Sequence, residues 1–148
     1  MWSGNVTITK TYSNNNITVT ASGKAGTSNN FNVNPGSVDH FTFSTISSPQ
    51  TAGNAFSITI TAEDANNNVV TNFTGTVTLS DNTGTLTPTT SGNFLSGQWT
   101  GNVTITKKQN DVVITATNDG ANGQSNSFNV QAAELDHFII SNISNQSA

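Results

Sequence analysis

One feature limits the folds open to this chain more than any other: the sequence repeats itself. The run Gly4-Asn5-Val6-Thr7-Ile8-Thr9-Lys10 returns as Gly101-Asn102-Val103-Thr104-Ile105-Thr106-Lys107, an offset of 101 − 4 = 97 residues. At the same offset Phe31-Asn32-Val33 returns as Phe128-Asn129-Val130, and Asp39-His40-Phe41 as Asp136-His137-Phe138. Aligned without a gap, residues 2–51 match residues 99–148 at about half of their positions. A match of that length points to tandem duplication, in which each period is one structural unit meeting its neighbours at defined contacts. The best linkers between units are Asn34-Pro35-Gly36-Ser37 and its counterpart Gln131-Ala132-Ala133-Glu134. Cutting there leaves residues 1–37 as the three-strand C-terminal part of an upstream unit, 38–134 as a complete unit, and 135–148 as the first strand of a downstream one. Met1, followed by Trp2 and polar residues without a charged or apolar leader, reads as the start of an excised fragment.

Within the unit the hydrophobic period is two. Phe56, Ile58, Ile60 and Ala62 alternate with Ser57, Thr59 and Thr61, the pattern of a strand with one face buried. The same reading gives strands at 39–46, 73–80, 102–107, 112–117 and 125–130, with a further copy at 136–143. Asp64-Ala65-Asn66-Asn67-Asn68, Asp81-Asn82-Thr83-Gly84, Ser96-Gly97, Gln109-Asn110-Asp111 and Asn118-Asp119-Gly120 read as the turns between them. About seven short strands in just under 100 residues predict an all-β, immunoglobulin-like antiparallel β-sandwich, repeated every 97 residues or so.

Composition removes several classes of function. Charged residues are 8% of the chain, with four Lys, no Arg and a net charge of −4, so the cationic surface that nucleic acid requires is missing. No apolar run is long enough to insert in a membrane as a helix. With no Cys there is neither a disulfide framework nor a thiolate metal site. Solubility falls instead to 25 Thr, 23 Asn and 17 Ser. No cofactor and no catalytic residue is expected, because the eight acids sit mostly in turn contexts.

The segment VDHFTFSTISSPQTAGNAFSITITAEDANNNVVTNFTGTVTLSD, followed by GQWTGNVTIT and SNSFNV, resembles the Ig-like tandem repeats of bacterial and archaeal cell-surface proteins, broadly the invasin and intimin type. The resemblance implies an extracellular, surface-attached or secreted protein, in which such units act as spacers, stalks or adhesin repeats. A glycan- or ligand-binding adhesin module and an accessory domain of a secreted hydrolase are the alternatives. The expected partners are neighbouring repeats or copies of the chain itself, with surface glycans under the adhesin reading.

Four groups of residues are singled out. Asp39-His40 and Asp136-His137 lie at the two unit boundaries and are expected to contact the adjoining repeat; neighbours in a strand point to opposite faces, so each pair is expected to diverge. Val6, Ile8, Ile17, Val19, Phe31 and Val33 would leave a half-sandwich with its apolar face uncovered, and Phe138 and Ile140 an orphan strand. Together these predict head-to-tail strand complementation between molecules. Asp64, Asn66 and Asn68 space oxygen ligands as a calcium loop does, but Val69 stands where such a loop turns on Gly; an Asn-rich hairpin loop is the expectation and calcium the alternative. Asn5, Asn16, Asn72, Asn102, Asn142 and Asn145 head Asn-x-Ser/Thr glycosylation sequons. Trp2 and Trp99 occupy equivalent positions, and Trp99 shares the parity of Val103, which directs it to the end of the core rather than to a ligand.

Overall fold

The computed structural model describes residues 3–135, 137–140 and 144 of the chain. Among these residues it is all-β, with no helix. Ahead of residue 38 lie four short strands, β1 (Tyr12–Asn15), β2 (Thr18–Ala21), β3 (Lys24–Thr27) and β4 (Phe31–Val33). Beyond it come β5 (His40–Phe43), β6 (Gln50–Thr51), β7 (Ala55–Glu63), β8 (Thr78–Asp81), β9 (Leu86–Thr87), β10 (Gln98–Ile105), β11 (Gln109–Val112), β12 (Ile114–Asn118), β13 (Ala121–Gln124) and β14 (Phe128–Gln131).

Residues 38–134 form a β-sandwich-like body. A seven-stranded sheet in the order β8-β12-β13-β5-β7-β10-β9 faces a three-stranded sheet, β11-β14-β6. The chain passes from one sheet to the other at Val113, between β11 and β12. The larger sheet curls until its edges approach, with the Leu79 amide bonding to the Thr89 carbonyl and the Ser91 amide to the Val77 carbonyl. Alternation along β7 buries Ile58, Ile60 and Ala62, which pack with Phe41, Leu79, Val103, Ile105, Val112, Ile114, Phe128 and Val130 in one core. Phe41, Phe73 and Phe94 stack at its end with ring centroids 5.0–6.1 Å apart, in the tilted and edge-on arrangements that aromatic quadrupoles favour.

The pairings made before residue 38 recur 97 residues later. Tyr12 opposite Val33 and Asn15 opposite Phe31 become Gln109 opposite Val130 and Val112 opposite Phe128. The β2–β3 hairpin, from Thr18–Thr27 to Ala21–Lys24, becomes β12–β13, from Thr115–Gln124 to Asn118–Ala121. Even the turn conformations match: φ is 48° at Ser22 and 45° at Asp119, each followed by Gly at positive φ, as a two-residue hairpin turn of the primed type requires. The Asn14 amide donates to Asn32 Oδ1 as the Asp111 amide donates to Asn129 Oδ1, at 2.9 and 3.1 Å.

Several expected strands are redrawn. Residues 3–9 carry no strand, whereas their counterparts in β10 do, because β10 has β7 and β9 to pair with. Gln109-Asn110-Asp111, expected as a turn, lies in the bulged strand β11, and the positive-φ Asp111 is what conceals the alternation. The expected strand at 73–80 gives way to Thr78–Asp81, and that at 125–130 begins only at Phe128, in β14. Residues 137–140 are not in a strand, and Phe138 and Ile140 are exposed.

Candidate functional site

The most organised polar cluster is built on the Asp64–Asn68 loop, which closes the end of β7. The loop is a tight turn in which the Asp64 and Asn67 amides donate to the Asn68 and Asp64 carbonyls, with Asn67 at φ 57°. Asn tolerates that left-handed backbone better than other non-glycine residues, which is a local reason for Asn here. Asp64 is buried, with 3% of its surface exposed. Its Oδ1 accepts from the amides of Asn66 and Asn68, both at 2.9 Å, and its Oδ2 from the amide of Gly36 at 2.9 Å. The Asn68 side-chain amide lies 3.0 Å from both oxygens. Foremost the Asn68 side chain, then the Gly36 and Asn68 backbone amides, hold the Asp64 carboxyl well below the usual carboxylate range, against the opposing effect of burial.

Through Asn68 the cluster reaches the chain ahead of residue 38. Asn68 Nδ2 donates to the Thr9 carbonyl at 2.8 Å, and Asn68 Oδ1 accepts from the Thr11 amide at 3.1 Å. Both polar ends of one buried amide are thus spent on the backbone preceding residue 38. Lys10 adds a bond from Nζ to the Asn66 carbonyl at 3.0 Å. Asp64, Asn68 and Gly36 therefore tie three separate stretches of chain, 9–11, 36 and 64–68, at one point. Beside them lies an open cleft of about 360 Å³ whose lining includes Ile8, Val33 and Val38.

This cluster contains the three residues spaced like a calcium loop. The Asp64 lone pairs are directed at N–H donors, an arrangement that presents positive dipoles where a cation would need oxygen. Among the described residues no group of three or more His, Asp or Glu is placed to hold a metal.

The other singled-out residues are distributed differently. His40 on β5 faces Glu63 on β7; its Nε2 lies 3.2 Å from Glu63 Oε2 and its Nδ1 3.1 Å from Asp39 Oδ2. Asp39 precedes β5 and so escapes the strand alternation, which is why its carboxylate meets the neighbouring ring instead of diverging from it. These contacts of His40 bridge β5 and β7 inside residues 38–134. His137 is exposed, and Asp136 lies outside the described residues. Val6 and Val19 are exposed; Ile8, Ile17, Phe31 and Val33 are half-buried. Asn5, Asn16, Asn72 and Asn102 are exposed, while Asn142 and Asn145 lie outside the described residues, as does Trp2. Trp99 packs on the core, its ring folded over Gly101.

Sequence reasoning placed the boundary contact on Asp39-His40 and missed the Asn68 bridge. The signal available for it was the Lys closing the duplicated run: Lys10, which reaches the loop, has Lys107 as its counterpart. Comparison with protein-family models, curated proteins and solved structures finds no match.

Proposed function

We propose that the chain is a structural spacer: a segment of a tandem Ig-like array in an extracellular surface protein, whose work is to hold successive units at a set angle. The carrying observation is the buried Asp64–Asn68 clamp, which joins residues 9–11 to the end of the following unit by directional bonds rather than by a flexible tether. The recurrence of both ladders at an interval of 97 residues supports the unit boundaries. A mechanical role also agrees with where the acids are used. Asp64 organises the clamp, and Asp81 caps its own turn by accepting from the amides of Thr83, Thr85 and Leu86. Surface location follows the resemblance to bacterial and archaeal surface repeats and the neutral, hydroxyl- and amide-rich exterior. No helix among the described residues is long and apolar enough to cross a membrane.

Asn68→Ala tests the reading. It removes both side-chain bonds of Asn68 to Thr9 and Thr11 while leaving Asp64 its three backbone donors. Small-angle scattering is expected to show a larger maximum dimension and a broadened distance distribution, with the core of residues 38–134 unchanged by circular dichroism. An unaltered scattering curve would mean that the clamp does not set the angle.

A further inference from the structure

The duplicated ladders identify a vacant strand position and what belongs in it. In residues 38–134, β13 is flanked on its outer edge by β5, running parallel with Asn122 opposite His40, and β14 by β6, with Val130 opposite Gln50. Their counterparts, β3 and β4, lie 97 residues earlier, and among the described residues each is paired on one side only, in two-stranded sheets. The apolar residues around these two open edges are the uncovered counterparts of core positions. Val19 is 64% exposed where Ala116 is 0%, and Phe31 and Val33 are half-buried where Phe128 and Val130 are buried.

Glycine marks the path of the absent strand. A Cβ on Gly123 would stand 1.8 Å from the Phe41 carbonyl oxygen, so only glycine lets β5 cross β13 that closely. The equivalent residue before residue 38 is also glycine, Gly26, yet a Cβ there would meet only Val19 Cγ2, at 3.8 Å, among the described residues. Gly26 thus keeps open a channel that nothing in the β2–β3 hairpin occupies. Residues 135–148 are the counterpart of 38–51, the segment that fills this channel in the complete unit. Phe138 corresponds to Phe41, and it is 83% exposed where Phe41 is 2%.

The geometry points to residues 135–148 of a second copy of the chain as the occupant, added parallel along β3 and β4 with the Phe138 carbonyl over Gly26 and His137 opposite Ala25. The reach of the chain's own tail argues against its filling this channel. Its tail leaves from Gln131, whose carbonyl bonds the Ala52 amide, at the end of β7 opposite to the Asp64 clamp. The eight residue steps of β7 span about 26 Å at roughly 3.3 Å per residue, whereas the six from Gln131 to His137 reach at most about 20 Å. The contact is therefore between molecules and heterologous, one chain's tail in the next chain's edge, and it propagates head to tail.

This inference uses the unit boundaries of the spacer reading but stands or falls separately from it. The test is sedimentation velocity of the full chain over a concentration series, with ¹H–¹⁵N spectra of the same samples. Wild type is expected to associate, with concentration-dependent shifts at Lys24–Thr27 and Phe31–Val33. Gly26→Ala is accommodated in the free hairpin but blocks the channel, and is expected to weaken association by roughly tenfold or more. Phe138→Asp, in the tail, is expected to do the same. Retained β2–β3 cross-strand contacts in Gly26→Ala exclude misfolding as the cause. A wild type that stays monomeric throughout would overturn the inference, as would association undiminished in either variant or shifts confined to other strands. None of those results alters the angle between units within one molecule, on which the spacer reading depends.

Discussion

Asp64 and Asn68 divide one task between charge and shape. Asp64 gathers N–H donors from Gly36 and from Asn66 and Asn68 of its own loop, and Asn68, oriented by that carboxylate, offers both a donor and an acceptor to residues 9–11. The lowered carboxyl pKa gives this a pH signature. A group whose pKa is depressed in the clamped state contributes above its ordinary value and loses that contribution as pH falls toward the depressed one. The angle between units is thus expected to hold from neutral pH down to about pH 5 and to loosen only as pH drops below about 4. Scattering against pH checks this, and Asp64→Asn, which puts a donor among donors, should already be loose at neutral pH and show no such step. At this scale the residues were legible but their roles were not. Asp64, Asn66 and Asn68 read in sequence as alternating oxygen ligands, yet around the Asp64 carboxylate it is the N–H donors of Gly36, Asn66 and Asn68 that converge, and spacing alone does not distinguish a carboxylate that binds a cation from one that accepts amides. Asp39-His40 was placed at the boundary by its position in the repeat, while its contacts depend on Glu63 across a strand pair that spacing does not reveal.

Among the elements, equivalent strands with unequal surroundings separate intrinsic preference from packing. β14 and β4 share the sequence Phe-Asn-Val and the same register with their partners. Phe128 is buried and meets Phe56 edge-on at 5.7 Å, whereas Phe31 is half-buried. Phe128→Ala is expected to destabilise by about 3–5 kcal/mol, the range for deleting a buried phenyl ring, and Phe31→Ala by about 1 kcal/mol or less. Chemical denaturation of the two variants measures the contrast; equal losses would mean that the β4 face is covered in solution. Strands that sequence periodicity recovers, such as β7, the second half of β10 and most of β12, have strict alternation and a partner on each side. It failed where a strand bends, as at Asp111 in β11, and where a strand-like sequence has no neighbour, as at residues 3–9. Strand formation depends on the adjoining ladder, so identical heptapeptides at 4–10 and 101–107 diverge.

For the molecule as a whole, the offset of 97 residues was the most informative property of the sequence, because it assigns each segment before residue 38 a counterpart whose surroundings are known. What it did not carry was the relation between the segments on either side of residue 38, which lies in the Asn68 side chain meeting the backbone of Thr9 and Thr11. The central claim is that this relation is fixed by the clamp. Residual dipolar couplings measured on wild-type monomer test it most directly, comparing amides of the β2–β3 hairpin with those of β7, β10 and β12. A clamp that fixes this relation gives one alignment tensor, equal in magnitude and orientation for both sets. Two tensors of different magnitude would show the units reorienting freely and would contradict a rigid spacer.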